Sequence, residues 1–165
     1  MDQVPDVTFY FHNQDDTTSD AIFNGRRVVI FAIPGAFTPT CSTKELPGYE
    51  ELYDEIKSHG IDEIYCTSVN DSYVMDAWFD KLEIKNVKYL PDGNAFFAGQ
   101  MNQLVLKNNL GLGFRSWRYS MIVNNGIIEK LWEEDGKVDD AEDDPYEITN
   151  PDVCLYYLKL SNPIT

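Results

Sequence analysis

Arg26-Arg27-Val28-Val29-Ile30-Phe31-Ala32-Ile33, followed by Pro34-Gly35-Ala36-Phe37-Thr38-Pro39-Thr40-Cys41, is the stretch on which the fold turns. The last six residues of the first half are continuously apolar. An amphipathic surface strand would alternate, so this run predicts a central strand covered on both faces. Downstream, Leu46, Tyr49, Leu52, Tyr53 and Ile56 recur at helical spacing up to His59-Gly60, with Pro47-Gly48 inside as an expected kink. Residues 61–69 read as a second strand. Asn70 or Asp71 caps a helix that carries Val74, Ala77 and Trp78 and runs to about Leu82. A short strand over 87–90 ends at the turn Pro91-Asp92-Gly93-Asn94, and 95–110 read as a short helix and loop. Strands over 119–123 and 127–132 flank Asn124-Asn125-Gly126, a hairpin signal. Asn150-Pro151 starts a last helix that reaches about Leu160. Strand–helix–strand units followed by a hairpin predict an α/β chain, with a mixed central sheet and helices on both faces.

Composition narrows the function. A chain of 165 residues matches one domain, 1–165, on the usual scale of about 150 residues per domain. With 43% hydrophobic and 13% aromatic residues it builds a core rather than a disordered chain. Thirteen basic against 28 acidic residues give a net charge of −15, which repels phosphate backbones and anionic lipid heads, so nucleic-acid and membrane-surface roles are excluded. No apolar run approaches the ~20 residues of a membrane span, and the N-terminus has no secretory signal. Three irregularly placed cysteines make a poor disulfide framework, and the expected location is a reducing cytoplasm. Residues 133–147 hold nine acidic residues and one lysine and read as a solvated loop, with a cation site or docking patch as the other reading.

The chemistry concentrates where the central strand ends, since ligands of open α/β sheets sit beyond the carboxyl ends of the strands. Thr38 as helix cap and Pro39 at the first helical position place Cys41 in the first turn, where free N–H groups and the helix dipole favour thiolate. Lowering a thiol from a pKa of about 8.5 to about 6 needs roughly 3.4 kcal/mol. A helix terminus supplies roughly 0.3–1 kcal/mol, at best ~2. A cation is therefore required, and Arg115 and Arg118 are the candidates. The two histidines and three cysteines show no metal-ligand spacing, and no C-x-x-C is present, because Thr38 stands three residues before Cys41.

Pro34, Thr38 and Cys41 form a P-x-x-x-T-x-x-C string that continues through Leu46-Pro47-Gly48. With Ser68-Val69-Asn70-Asp71, Pro91-Asp92-Gly93-Asn94 and Arg115-Ser116-Trp117-Arg118-Tyr119-Ser120-Met121, it resembles the peroxiredoxins over about residues 4–160. It is most similar to the peroxiredoxin-5 (type II) group, and within it to the peroxiredoxin half of bacterial peroxiredoxin–glutaredoxin fusions. The resemblance implies a thioredoxin-like fold and a thiol peroxidase that needs no cofactor. Cys41 becomes the nucleophile that is oxidised to sulfenic acid, and Thr38 the group that hydrogen-bonds the peroxide. Arg118 steadies the thiolate, Pro34 shields it, and backbone amides near Gly35 and Cys41 hold the substrate. Hydrogen peroxide and small organic hydroperoxides are the implied substrates. The fusions continue into a glutaredoxin domain whereas this chain ends at Thr165, so glutathione with glutaredoxin, or thioredoxin, is expected to act in trans.

The resolving cysteine of animal members would fall near Ile148, where none stands. Cys66 occupies the place of a second cysteine in plant members and is a candidate second thiol, with a buried strand thiol as the other reading; Cys154 reads as packing. A homodimer is implied, with Phe37, Leu112 and Phe114 as candidate interface residues. A sensor that passes oxidation from Cys41 to a partner protein is the alternative function.

Overall fold

The computed structural model describes residues 2–161. Two short antiparallel strands, β1 (Thr8–Phe9) and β2 (Thr17–Thr18), precede α1 (Ser19–Phe23). β3 (Arg27–Ile33) is the apolar run, and every residue from Val28 to Ile33 is buried. A π-helical turn (Cys41–Glu45), α2 (Leu46–Glu51) and α3 (Tyr53–Lys57) lead to β4 (Glu63–Ser68). α4 (Ser72–Lys81), β5 (Lys88–Pro91) and α5 (Phe96–Gln100) follow. After them come β6 (Leu104–Leu106), β7 (Phe114–Ser116), β8 (Tyr119–Asn124), β9 (Ile127–Glu133) and α6 (Pro151–Ser161). The main sheet has the order β5-β4-β3-β8-β9. Its β3–β4 and β4–β5 pairs are parallel, while β3–β8 and β8–β9 are antiparallel, so the sheet is mixed as expected.

The two faces of β3 feed two cores, because alternate side chains point to opposite sides of a strand. Val29, Phe31 and Ile33 pack with Leu46, Tyr49, Ile56, Trp78 and Leu158 under α2, α3, α4 and α6. Val28, Ile30 and Ala32 pack with Phe9, Ile22, Phe23, Phe97 and Met121 on the side of α1 and α5. Tyr49 stacks on Phe31 at 4.0 Å between ring centres, locking α2 to the middle of the sheet. Helices therefore cover both faces, which a six-residue apolar run requires.

Three local expectations change. The helical backbone continues through Pro47 but is irregular just before it: a π turn ends at Glu45, and the proline is in the first turn of α2. The break comes at Leu52 instead, between α2 and α3. Gly48 lets the start of α6 come close, since a Cβ there would lie 3.3 Å from Pro151 Cγ. Part of the 95–110 stretch is the strand β6, which pairs with β7. Asn125 and Gly126 both take left-handed φ, as the hairpin turn demands.

The acidic segment after β9 is a largely exposed loop, as expected, but it is a strap, tied to the fold at several points. Glu134 is buried and its carboxylate accepts hydrogen bonds from the Glu147, Ile148 and Thr149 amides and from the Thr149 hydroxyl. Asp139 and Asp140 accept from the Leu106 and Asn109 amides. Carboxylates that collect backbone donors offset the repulsion that the charge run alone would produce.

Candidate active site

The chain leaves β3 at Ile33 and turns through Pro34 and Gly35, both buried. Ala36 N–H donates to Asn70 Oδ1 at 3.0 Å, tying this loop to the one after β4. Gly35 is a glycine for a steric reason, because an added Cβ would lie 2.7 Å from Arg115 Nη1. Arg115 in turn donates to the carbonyls of Leu112 and Pro34. Phe37 takes a left-handed φ of 65° and is half exposed at the tip.

Helical backbone begins at Pro39, so Thr38 holds the cap position, but its hydroxyl does not cap. It donates back to the Gly35 carbonyl at 2.6 Å. The same hydroxyl lies within hydrogen-bond reach of Cys41 and pulls its thiol down.

Cys41 opens the π-helical turn and is fully buried. π-bulges often mark functional sites, because they re-aim side chains within a helix. Arg118, buried just before β8, reaches it: Nη2 lies 3.4 Å from Cys41 Sγ. The same guanidinium donates through Nε to Glu45 Oε1 at 2.7 Å and through Nη1 to Asp144 Oδ1 at 2.6 Å. Lys107 is buried too, with Nζ 5.3 Å from the centre of the Trp117 ring. Both Lys107 and Arg115 are close enough to Cys41 for its charge to raise their pKa values, against the lowering that burial causes. Pro34, Gly35, Thr38, Cys41, Arg115 and Arg118 are thus brought to one end of β3, and Lys107, Glu45 and Asp144 join them.

The sign of the Cys41 shift corrects the sequence expectation of a strongly lowered thiol. Burial pushes the thiol up and Glu45 adds to the push, while Arg118, the Thr38 hydroxyl and the Gly35 backbone pull it down. Glu45 is itself pushed up to about 8 by complete burial, against the opposing pull of Arg118. Its Oε2 has no partner, an orphan of the kind that buried carboxyls rarely carry.

The raised Glu45 has a measurable consequence. Between the normal carboxylate range and pH 8 the folded chain holds a proton that the unfolded chain has released, so stability falls as pH rises. Glu45→Gln should flatten that slope, which reaches about 1.4 kcal/mol per pH unit for one fully coupled proton. Urea unfolding at several pH values checks it, and parallel slopes in both proteins refute it.

Cys66 lies on β4 opposite Phe31 and Tyr89, in the same apolar cluster as Cys41, and burial pushes its thiol well up. Cys154 on α6 belongs to that cluster as well and is pushed up to about 12 by burial. All three thiols are free.

Comparison with known proteins fits this geometry. The redoxin family model matches residues 1–145. A peroxiredoxin of Rhizobium etli is 48% identical, covering 95% of this chain and 94% of that protein. A hybrid peroxiredoxin of Haemophilus influenzae is 43% identical over 94% of this chain and 64% of its own length. The crystal structure of a Plasmodium falciparum antioxidant protein, a 1-Cys peroxiredoxin, superposes with a TM-score of 0.93 at 39% identity, covering 97% of this chain and 98% of that one. The fold is thioredoxin-like, and the family's activity is that of a thiol peroxidase. The chain belongs to the redoxin family, among its peroxiredoxins.

Proposed function

We propose that Cys41 is the reacting thiol and that the chain is a one-thiol peroxidase of hydrogen peroxide and small organic hydroperoxides. The observation that carries this reading is the 3.4 Å approach of Arg118 Nη2 to Cys41 Sγ, with both residues buried. The thiolate attacks one peroxide oxygen, the O–O bond breaks, and the other oxygen leaves as water or alcohol after taking a proton. Cys41 is left as sulfenic acid. Arg118 stabilises the negative charge at sulfur and along the breaking bond. Thr38 Oγ1 accepts the peroxide hydrogen, Pro34 excludes water, and the Gly35 and Cys41 amides hold the substrate.

Thr38→Val keeps the size and loses the oxygen. Losing one hydrogen bond in the transition state should slow peroxide reduction about 10²–10³-fold, and Thr38→Ser should keep most of the rate. A stopped-flow rate for valine equal to wild type would leave Thr38 a packing role only.

Reduction in trans by glutathione with glutaredoxin is supported by the resemblance to the fusion proteins and by the absence of a cysteine near Ile148. Peroxide consumption with glutathione plus glutaredoxin, run beside thioredoxin, tests the reductant; oxidation that stops after a single round with both would favour the sensor reading. A reducing compartment such as the cytoplasm suits three free thiols. We further assign the homodimer to the face around Phe37, Leu110 and Phe114, all at least half exposed. Leu112, by contrast, is half-buried. Arg115 joins this face to the Cys41 loop through the Leu112 and Pro34 carbonyls.

A further inference from the structure

Arg118 is fixed on three sides, and one of them is the acidic strap. Nε is held by Glu45 Oε1 at 2.7 Å. Nη1 is held by Asp144 Oδ1 at 2.6 Å and by the Pro145 carbonyl at 2.8 Å. The Tyr146 ring lies 5.7 Å from the guanidinium carbon. Nη2 is left between Asp144 Oδ2 at 3.3 Å and Cys41 Sγ at 3.4 Å. A guanidinium is a rigid planar fork, so fixing Nε and Nη1 also fixes where Nη2 points. The strap is braced on either side of Asp144, by the Glu134 cradle and by Asp139 and Asp140 on the β6 side. Most surface ion pairs contribute little. This one differs, because the arginine side chain is 2% exposed while the Asp144 side chain is 46% exposed. Asp144 is the groups' boundary with water.

We propose that Asp144 is a positioning residue: the strap that carries it closes the Arg118 guanidinium over Cys41, so that Nη2 meets the sulfur and solvent does not. Asp144 touches the sulfur only through Arg118. Removing it frees one side of the guanidinium and admits water, in which the attraction between two charges is about four times weaker than near a protein surface. The charged and titratable groups around Arg118 are Cys41 and Glu45 from the π turn, Asp144 and Tyr146 from the strap, Lys107 after β6, and Glu134 after β9. Among the described residues, only Asp144 combines a direct bond to the guanidinium with exposure to solvent.

The inference rests on Cys41 as the reacting thiol, and its test is read without peroxide. Alkylation of Cys41 by iodoacetamide, followed by mass spectrometry across a pH series, reports thiolate directly in the full chain. In Asp144→Ala the midpoint should rise by about one pH unit, equivalent to about tenfold less thiolate below it. Asp144→Asn, which retains an acceptor for Nη1, should restore most of the shift. Asp144→Ser is also too short to reach and replaces alanine if that variant fails to accumulate. An unchanged or lowered midpoint in the truncated variants overturns the proposal, as does an Asn variant displaced as far as alanine. A protein whose midpoint moves as expected but which consumes no peroxide leaves this inference standing and defeats the peroxidase reading instead.

Discussion

Replacing Cys41 with serine should reduce peroxide consumption to the level of buffer, a loss of at least about 10⁴-fold on the scale seen when a covalent nucleophile is removed. No other thiol can take its place. Cys66 is fully buried on β4 with its thiol pushed well up, and Cys154 is pushed up to about 12. The serine hydroxyl stays protonated at any working pH and is far too weak a nucleophile to attack an O–O bond. The fold should be unaffected, because serine fills nearly the same volume within a turn that stays helical. Peroxide electrode traces of wild type and variant, with melting curves alongside, give the answer; residual turnover near wild type would place the chemistry elsewhere.

Arg118→Met should be nearly as damaging, and in two separable ways. Methionine matches much of the arginine's length but carries no donor and no charge. Loss of a preorganised donor at the reacting atoms should cost about 10²–10³-fold in the rate of Cys41 oxidation. Loss of the donor to Glu45 Oε1 also leaves a fully buried acceptor unpaired, which should cost about 1–3 kcal/mol of stability. The double variant Arg118→Met, Glu45→Leu separates the two effects. Stability should recover, because no buried polar group is left without its partner, while the rate should stay low. A double variant that recovers both would make Arg118 a structural residue whose nearness to sulfur is incidental.

The most legible parts of this chain were those in which neighbouring residues constrain one another. The run Val28–Ile33 had to be a doubly covered strand, Asn70 or Asp71 had to cap one helix (the structure uses Asp71) and Asn150 another, and Asn124-Asn125-Gly126 had to turn a hairpin. At the site, Cys41 and the need for a cation were legible from the strand end and the energetics of a thiolate, and Arg118 came with the family resemblance. Glu45 was missed although its spacing offered a signal: four residues after Cys41 is one turn on, the same side of the helix. Asp144 and Lys107 offered no such signal, because their places depend on contacts across 26 residues and more. In the sequence Asp144 is one of nine acidic residues, and only the folded strap singles it out. The sign of the Cys41 shift was missed for a related reason. Dipole and cation were visible in the sequence, whereas the depth of burial, which outweighs them, arises only when α2, α4 and α6 close over β3.

The central claim is that Cys41 alone carries out the reaction with peroxide, with no second thiol of the chain. The most direct measurement takes the Cys66→Ser, Cys154→Ser double variant, treats it with one equivalent of hydrogen peroxide in the presence of dimedone, and maps the adduct by mass spectrometry. It is followed by turnover with glutathione and glutaredoxin. A dimedone adduct on Cys41 and turnover close to wild type are the expected results. A folded double variant that no longer turns over, together with a Cys41–Cys66 disulfide in the peroxide-treated wild type, would contradict it.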